Sequence, residues 1–170
     1  STVTGGVGGI AFDGSYGDIL KAYSDADWAP RHSTTGYCLI FAGGPIGYGS
    51  KRQHCIALSS TESEIMAASQ AATEVTYFRG ILRDLGMWQE QEEPTTLYVD
   101  NTGAEELARE LKSCPRSRHI ARRYYKVREL QAEEEITVKH VTSEANTSDI
   151  FTKPLEKEAF LTHRKLGKRD

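Results

Sequence analysis

Cysteine is scarce in this 170-residue chain, and the three present, Cys38, Cys55 and Cys114, are odd in number and far apart. That pattern argues against a disulfide framework or a thiolate zinc site and fits a reducing compartment. Long apolar runs are also missing, as is any amino-terminal basic-then-apolar leader, so neither a membrane span nor a secretion signal is expected. Positive charge is not in excess. A net charge of -3 and a pI near 6.0 are not the usual profile of a nucleic-acid binder. No internal repeat or long low-complexity tract occurs. A start at Ser1 rather than Met is expected of a piece cut from a longer polypeptide.

What is present describes a globular domain. Hydrophobic residues make up 38% of the chain and charged residues 26%, and this length suits one compact domain with an ordinary core. Charge is unevenly spread. No acid occurs between Leu111 and Arg128, while Lys112, Arg116, Arg118, Arg122, Arg123, Lys126 and Arg128 supply cations. Such local asymmetry matters more than the total.

Residues 1–17, rich in Gly, Ser and Thr, predict a flexible arm or edge strand ahead of a domain spanning 18–170. Apolar approaches predict strands over Asp18 to Ala26 and Thr35 to Ala42, with a Gly43-Gly44-Pro45 turn leading into a third over Ile46 to Arg52. Ser59 and Glu62 have capping-box spacing, and the helix they open is expected to run to about Leu85 before Gly86. Thr95 to Val99 is β-branched and aromatic, a buried strand. Helices are expected over Thr102 to Leu111 and Arg118 to Glu133, then a strand over Glu135 to Val141. A helical segment near Ser148 to Phe151 and an amphipathic helix over Leu155 to Leu166 close the chain. Hairpin-linked strands followed by strand–helix crossovers give an α/β fold: a mixed five-stranded sheet with helices on both faces.

Four acids stand out. Asp25 and Asp100 each end an apolar strand, where groups from neighbouring parallel strands share a cleft. Glu64 lies in the first turns of the long helix, and Asp149 begins the last short one. Taken singly, each has an ordinary structural use: a turn, a helix cap or a solvated face. Gathered together, four carboxylates would repel one another without cations, and hard divalent ions such as Mg²⁺ or Mn²⁺ favour all-oxygen sites. Two such ions about 4 Å apart can drive phosphodiester hydrolysis.

The segments YSDADWA (Tyr23 to Ala29), STTGYCL (Ser33 to Leu39), ALSSTESEIMA (Ala57 to Ala67), LYVDN (Leu97 to Asn101) and SDIFTKPL (Ser148 to Leu155) resemble the ribonuclease H domain of Ty1/copia-type retrotransposon polyproteins. RSRHIARRYYKVRE (Arg116 to Glu129) fits that family as well, with a short Ala29–His32 connection and Tyr48 in place of a tryptophan as departures. The resemblance implies a ribonuclease H-like fold and a two-metal endonuclease cutting the RNA strand of RNA–DNA hybrids to 5′-phosphate products. Asp25, Glu64, Asp100 and Asp149 match the family's metal-binding carboxylates; Asp27 and Glu62 do not match ligand positions. Two Mg²⁺ ions, with Mn²⁺ as a substitute, are the implied cofactors. An attached reverse transcriptase domain is the implied partner, and the cytoplasm, within virus-like particles, the implied location. His140 precedes Asp149 at a spacing like that of a mobile histidine in cellular ribonucleases H, although a half-buried position in the EITVKHV strand is the ordinary explanation of it.

Arg118, Arg122 and Lys126 recur every four residues and, with Arg116 before them, predict a cationic surface for phosphates, positioning a substrate without reading sequence. Two rival readings are a catalytically silent or repurposed nucleic-acid-binding module of the same fold and a same-fold nuclease acting on DNA.

Overall fold

The computed structural model describes residues 19–87, 93–100 and 118–153. The expected arm at 1–17 and the expected helices at Thr102 to Leu111 and Leu155 to Leu166 lie outside the described residues.

Five strands form one sheet. In chain order they are β1 (Lys21–Asp27), β2 (Thr34–Phe41), β3 (Gly44–Arg52), β4 (Thr95–Val99) and β5 (Ile136–His140). Helix α1 (Ser60–Asp84) lies between β3 and β4, and α2 (Arg118–Ala132) precedes β5. Two 3-10 turns follow, η1 (Ser143–Ala145) and η2 (Thr147–Phe151). The spatial order is β3-β2-β1-β4-β5, antiparallel across β3, β2 and β1 and parallel across β1, β4 and β5. The sheet is therefore mixed, and β1, β4 and β5 end along one edge.

The hairpin differs from expectation. β2 stops at Phe41 and β3 begins at Gly44, so the turn is Ala42-Gly43 rather than Gly43-Gly44-Pro45. Both turn residues have positive φ, 49° and 79°. Two-residue hairpin turns need that geometry to match strand twist, and here an alanine takes one of the positions. Pro45 is tolerated because β3 is an edge strand, and the register shifts beside it at Leu39/Ile40.

α1 is capped as its sequence predicts. Ser59 Oγ accepts from the Glu62 amide at 3.2 Å, and Glu62 Oε2 accepts from the Leu58 amide at 2.7 Å, one residue ahead of the cap. Its small residues Ala67, Ala71 and Ala72 are fully buried, which lets the helix lie close on the sheet against Leu20, Ala22, Leu39 and Leu97. A smaller cluster joins Ala57, Met66 and Ile120 where α1 meets α2. Arg79, a buried charge on α1, ties the helix to the starts of β4 and β5. Its guanidinium donates to Thr95 Oγ1 (3.2 Å) and the Glu135 carbonyl (2.9 Å) and pairs with the Glu135 carboxylate at 2.6 Å.

η2 packs on β1 and β2 across the sheet from α1. Gly36 makes this possible: a Cβ there would lie 2.6 Å from Thr152 Cγ2 and 2.9 Å from the Ser148 carbonyl. The absence of a side chain on β2 is what lets the Ser148–Thr152 segment sit flat on the strand.

Candidate functional site

The register places Asp25 and Asp100 side by side. Ser24 pairs with Val99 in the parallel β1–β4 ladder, and each aspartate is the next residue along its strand. Asp25 points to the η2 face, as does Gly36 opposite it, and is only 4% exposed. Burial is the main reason its carboxyl is pushed up to about 6. A hydrogen bond from Thr152 Oγ1 opposes that rise, and the adjoining Asp149 adds to it.

Glu64 approaches from α1 on the other side of the strand end. Its Oε1 accepts from the Ala26 amide at 3.3 Å, while Oε2 is buried without a hydrogen-bond partner among the described residues. Burial first, then the charge of Asp25, holds this carboxyl up at about 8; the Ala26 amide opposes the shift and Asp100 adds to it. A buried acceptor with no donor is costly. Two desolvated carboxylates with raised pKa beside two further acids form an environment that a hard cation would relieve.

Asp149 sits in η2, 7% exposed, with Lys153 Nζ 2.7 Å from its Oδ1. That contact is the main reason the Lys153 ammonium is held above its ordinary value, with Asp25 and Asp27 contributing. Asp100 accepts from Ser143 Oγ at 2.5 Å. Each of the four acids thus has a protein donor on one oxygen. Among the described residues, no three His, Cys, Asp or Glu side chains are gathered tightly enough to hold a metal ion as they stand. The donor set is all carboxylate, and Glu64 Oε2 is uncommitted, so these residues suit Mg²⁺ or Mn²⁺ in kind.

Two residues that shape the site carried no signal in the sequence reading. Asn146, fully buried, donates from Nδ2 to the Ser24 carbonyl at 2.9 Å, and its Oδ1 accepts from the Ser148 amide and hydroxyl. It is also the cap of η2, so Asp149 lies inside that turn rather than at its start. Thr152 holds Asp25. An asparagine and a threonine flanking an acid in a polar loop look like surface residues until the loop is seen to be buried.

His140 is the last residue of β5, pairs with Val99 and is exposed, not half-buried. It stands at the same strand edge as Asp100. Of the cationic stripe, Arg122 and Lys126 are exposed on α2, Arg118 begins that helix, and Arg116 lies outside the described residues. Just beyond the acid-free stretch, Glu129 partly offsets the stripe, its carboxylate 3.6 Å from Lys126 Nζ. The short Ala29–His32 connection is closed by the Ala29 amide donating to Ser33 Oγ and by Trp28 Nε1 donating to the Ala57 carbonyl, both at 3.2 Å.

This sheet order, with acids along the edge where the parallel strands end, defines a ribonuclease H-like α/β domain. Among solved structures, RNase H1 from Halobacterium salinarum superposes with a TM-score of 0.55 at 16% identity, covering 85% of this chain and 98% of that one. The N-terminal RNase H domain of a Mycobacterium tuberculosis protein gives 0.56 at 10% identity over 86% and 96% of the two chains. LC11-RNase H1, solved in complex with an RNA/DNA hybrid, gives 0.57 at 12% identity over 78% and 93%. At such identities the likeness is one of fold. No family model matches the chain.

Sequence relatives are closer. The chain is 36% identical over 155 residues, 89% of its length, to the retrovirus-related Pol polyprotein of transposon TNT 1-94 from Nicotiana tabacum. It is 35% identical over 153 residues, 87% of its length, to that of transposon RE2 from Arabidopsis thaliana. It spans only 11% and 10% of these two polyproteins. The chain is a ribonuclease H-fold homologue of one segment of the retrotransposon Pol polyproteins.

Proposed function

We propose that this domain is a metal-dependent endonuclease that hydrolyses the RNA strand of RNA–DNA hybrids during reverse transcription of a Ty1/copia-type retrotransposon. The observation that carries the reading is the meeting of Asp25, Asp100, Glu64 and Asp149 at one sheet edge, with Asp25 and Glu64 desolvated and Glu64 Oε2 uncommitted.

Asp25, Asp100, Glu64 and Asp149 would hold two Mg²⁺ ions, with Mn²⁺ as a substitute. When bound, the ions supply a water of lowered pKa and stabilise charge on the phosphodiester oxygens, giving 5′-phosphate and 3′-hydroxyl ends. The chain's own part is positioning. The β1–β4 ladder fixes the spacing of the two aspartates, the Ala26 amide holds one oxygen of Glu64, and Asn146 fixes the turn that carries Asp149. His140, exposed at the same edge, would assist departure of the product. Arg116, Arg118, Arg122 and Lys126 would contribute phosphate contacts along the duplex, Lys126 less than the others because Glu129 competes for it. An attached reverse transcriptase in the parent polyprotein and a cytoplasmic, particle-enclosed setting complete the proposal.

The test is Asp100→Asn. Cleavage of a labelled hybrid in Mg²⁺ is expected to vanish while the far-ultraviolet circular dichroism stays unchanged. Near-normal turnover would sink the assignment, and a wild-type protein that binds hybrid but never cuts it would favour the silent module. Parallel incubation with duplex DNA tests the DNA-nuclease alternative.

A further inference from the structure

Four large apolar side chains stand in water toward the end of the molecule away from the acids: Ile19 (60% exposed), Tyr77 (63%), Leu85 (65%) and Met87 (47%). Arg79 fixes which end this is. It reaches Thr95 and Glu135, where β4 and β5 begin, and β1, parallel to β4 with Lys21 opposite Thr96, begins there too. Tyr77, the half-buried Ile81 and Leu85 recur every four residues along α1 and its cap, forming one stripe. Leu85 lies about 30 Å along the helix axis from Glu64.

These side chains are presented by a fixed turn. Gly86, at φ 69°, closes α1: its amide donates to the Arg83 carbonyl at 2.9 Å, and the Met87 amide donates to the Leu82 carbonyl at 2.8 Å. That pair of bonds locks the helix end and with it Leu85 and Met87. Gly80, one turn beyond Tyr77, is the second observation. A Cβ there would meet nothing within 4 Å. Glycine inside a helix is less favourable than alanine, and no neighbour among the described residues calls for it. A second backbone lying close against the helix does.

Apolar residues held together in water mark contact surfaces, and connectivity identifies the occupant. The polypeptide leading into β1 arrives at Ile19, at the same end as Leu85 and Met87, and the Pol relatives extend far beyond this chain. A domain tethered there meets this face at an effective concentration that a second copy would have to supply from solution. We propose that Tyr77, Gly80, Ile81, Leu85 and Met87, with Ile19 at the point of entry, form the docking face for the domain preceding this one in the parent polyprotein. This rests on the proposed attachment to a reverse transcriptase and adds to it where the two domains meet. Docking at this end leaves the acids open to substrate.

The two methionines of the chain supply the probe. Met87 is exposed, and Met66, 2% exposed, is its internal control. Dilute hydrogen peroxide is applied to this chain alone and to the polyprotein segment that joins it to the preceding domain, and sulfoxide at each methionine is followed by mass spectrometry. Met87 is expected to oxidise about tenfold more slowly in the joined protein, with Met66 slow in both. Gly80→Gln places a good helix former in open space. It should leave the melting temperature of this chain no lower, yet restore Met87 oxidation in the joined protein, as should Tyr77→Ser/Leu85→Ser. Equal Met87 rates in the two wild-type proteins, or protection that Gly80→Gln does not disturb, overturns the docking face. Protection that appears in this chain alone as its concentration rises, with a dimer by sedimentation, gives the face to a second copy and overturns the proposal. Primer extension and hybrid cleavage by the joined protein are read alongside. Loss of the first overturns the reverse transcriptase attachment and loss of the second the nuclease reading, each separately from the Met87 result.

Discussion

Replacing Asp25 with Asn is expected to stabilise the metal-free domain while abolishing its response to Mg²⁺. Burial chiefly raises Asp25 from 3.8 to about 6 and Glu64 from 4.5 to about 8. An acid whose pKa is raised on folding leaves the native state holding more protons than the unfolded chain, so stability falls as pH rises. The penalty is absent below about pH 4, grows through the folded pKa of about 6 for Asp25 and is complete for Glu64 only above about 8. At about 1.4 kcal/mol per unit, the Asp25 shift amounts to about 3 kcal/mol. The two penalties do not add, because the charge of Asp25 is part of what raises Glu64. Asn keeps an acceptor for the Thr152 hydroxyl and removes the charge, so Asp25→Asn should gain about 2 kcal/mol at pH 8, roughly 4–8 °C in Tm for a chain of this length, and nothing at pH 4. Wild type should recover a comparable amount, about 2.7 kcal/mol, when Mg²⁺ reaches a hundred times its Kd. Thermal melts followed by circular dichroism from pH 4 to 8.5, in EDTA and in Mg²⁺, give all four curves. If Asp25→Asn melts no higher than wild type at pH 8 in EDTA, or if Mg²⁺ raises both proteins equally, the account of this cluster is wrong.

Gly36→Ala reaches the site without touching an acid. The added Cβ meets Thr152 Cγ2 and the Ser148 carbonyl below contact distance, so the turn carrying Asp149 must lift at a cost of about 1–3 kcal/mol; hybrid cleavage should fall far more than Tm, and unchanged cleavage would refute the close approach. Asn146→Ala removes the bond to the Ser24 carbonyl and the cap of η2, which should cost about 2–3 kcal/mol and show as faster amide exchange over Ser148 to Thr152; full protection there would count against the role given to Asn146. Arg79→Met leaves Glu135 without its closest partner, and because that carboxylate is 26% exposed the loss should sit near about 3 kcal/mol, the low end for buried pairs. Urea denaturation measures it, and a loss under about 1 kcal/mol would show that the pair is solvent-screened.

The strands and α1 were legible because their signals are local. Thr95 to Val99 is legible residue for residue, since its β-branched and aromatic character lies within the segment itself. The cap of α1 was equally plain, since Ser59 and Glu62 are three residues apart and need no distant partner. The hairpin slipped by a residue because Gly-Gly-Pro looks like a better turn than Ala-Gly, and only the β2–β3 register selects the latter. The candidate acids were found through the resemblance of their motifs, while their supports were not. Asn146 meets Ser24 across 122 positions and Thr152 meets Asp25 across 127. No periodicity spans such distances. The cationic stripe shows the limit of periodicity from the other side: helical spacing marks Arg122 and Lys126 as one face, but it cannot say that the next residue over, Arg123, lines a small cavity with Lys51 and Gln53 at the end of β3.

The protein donors on the four acids bear on how such a site binds metal. Four carboxylates bared to one another where the strands end would destabilise the fold through both burial and repulsion. Here the Thr152 and Ser143 hydroxyls, the Ala26 amide and the Lys153 ammonium each take one oxygen. On the metal-binding reading, loading is an exchange of partners rather than the filling of a ready cage, which agrees with the absence of any three acids at ligand spacing among the described residues. Lys153 is the donor best placed to yield, because its side chain is 43% exposed and can swing into water while Asp149 stays put. The hydroxyls differ: Thr152 is itself buried and can keep one Asp25 oxygen while the other turns to the ion. The same contacts that keep the domain folded would therefore weaken a hold on metal, and an affinity tighter than these exchanges permit would need a substrate phosphate to supply further oxygens.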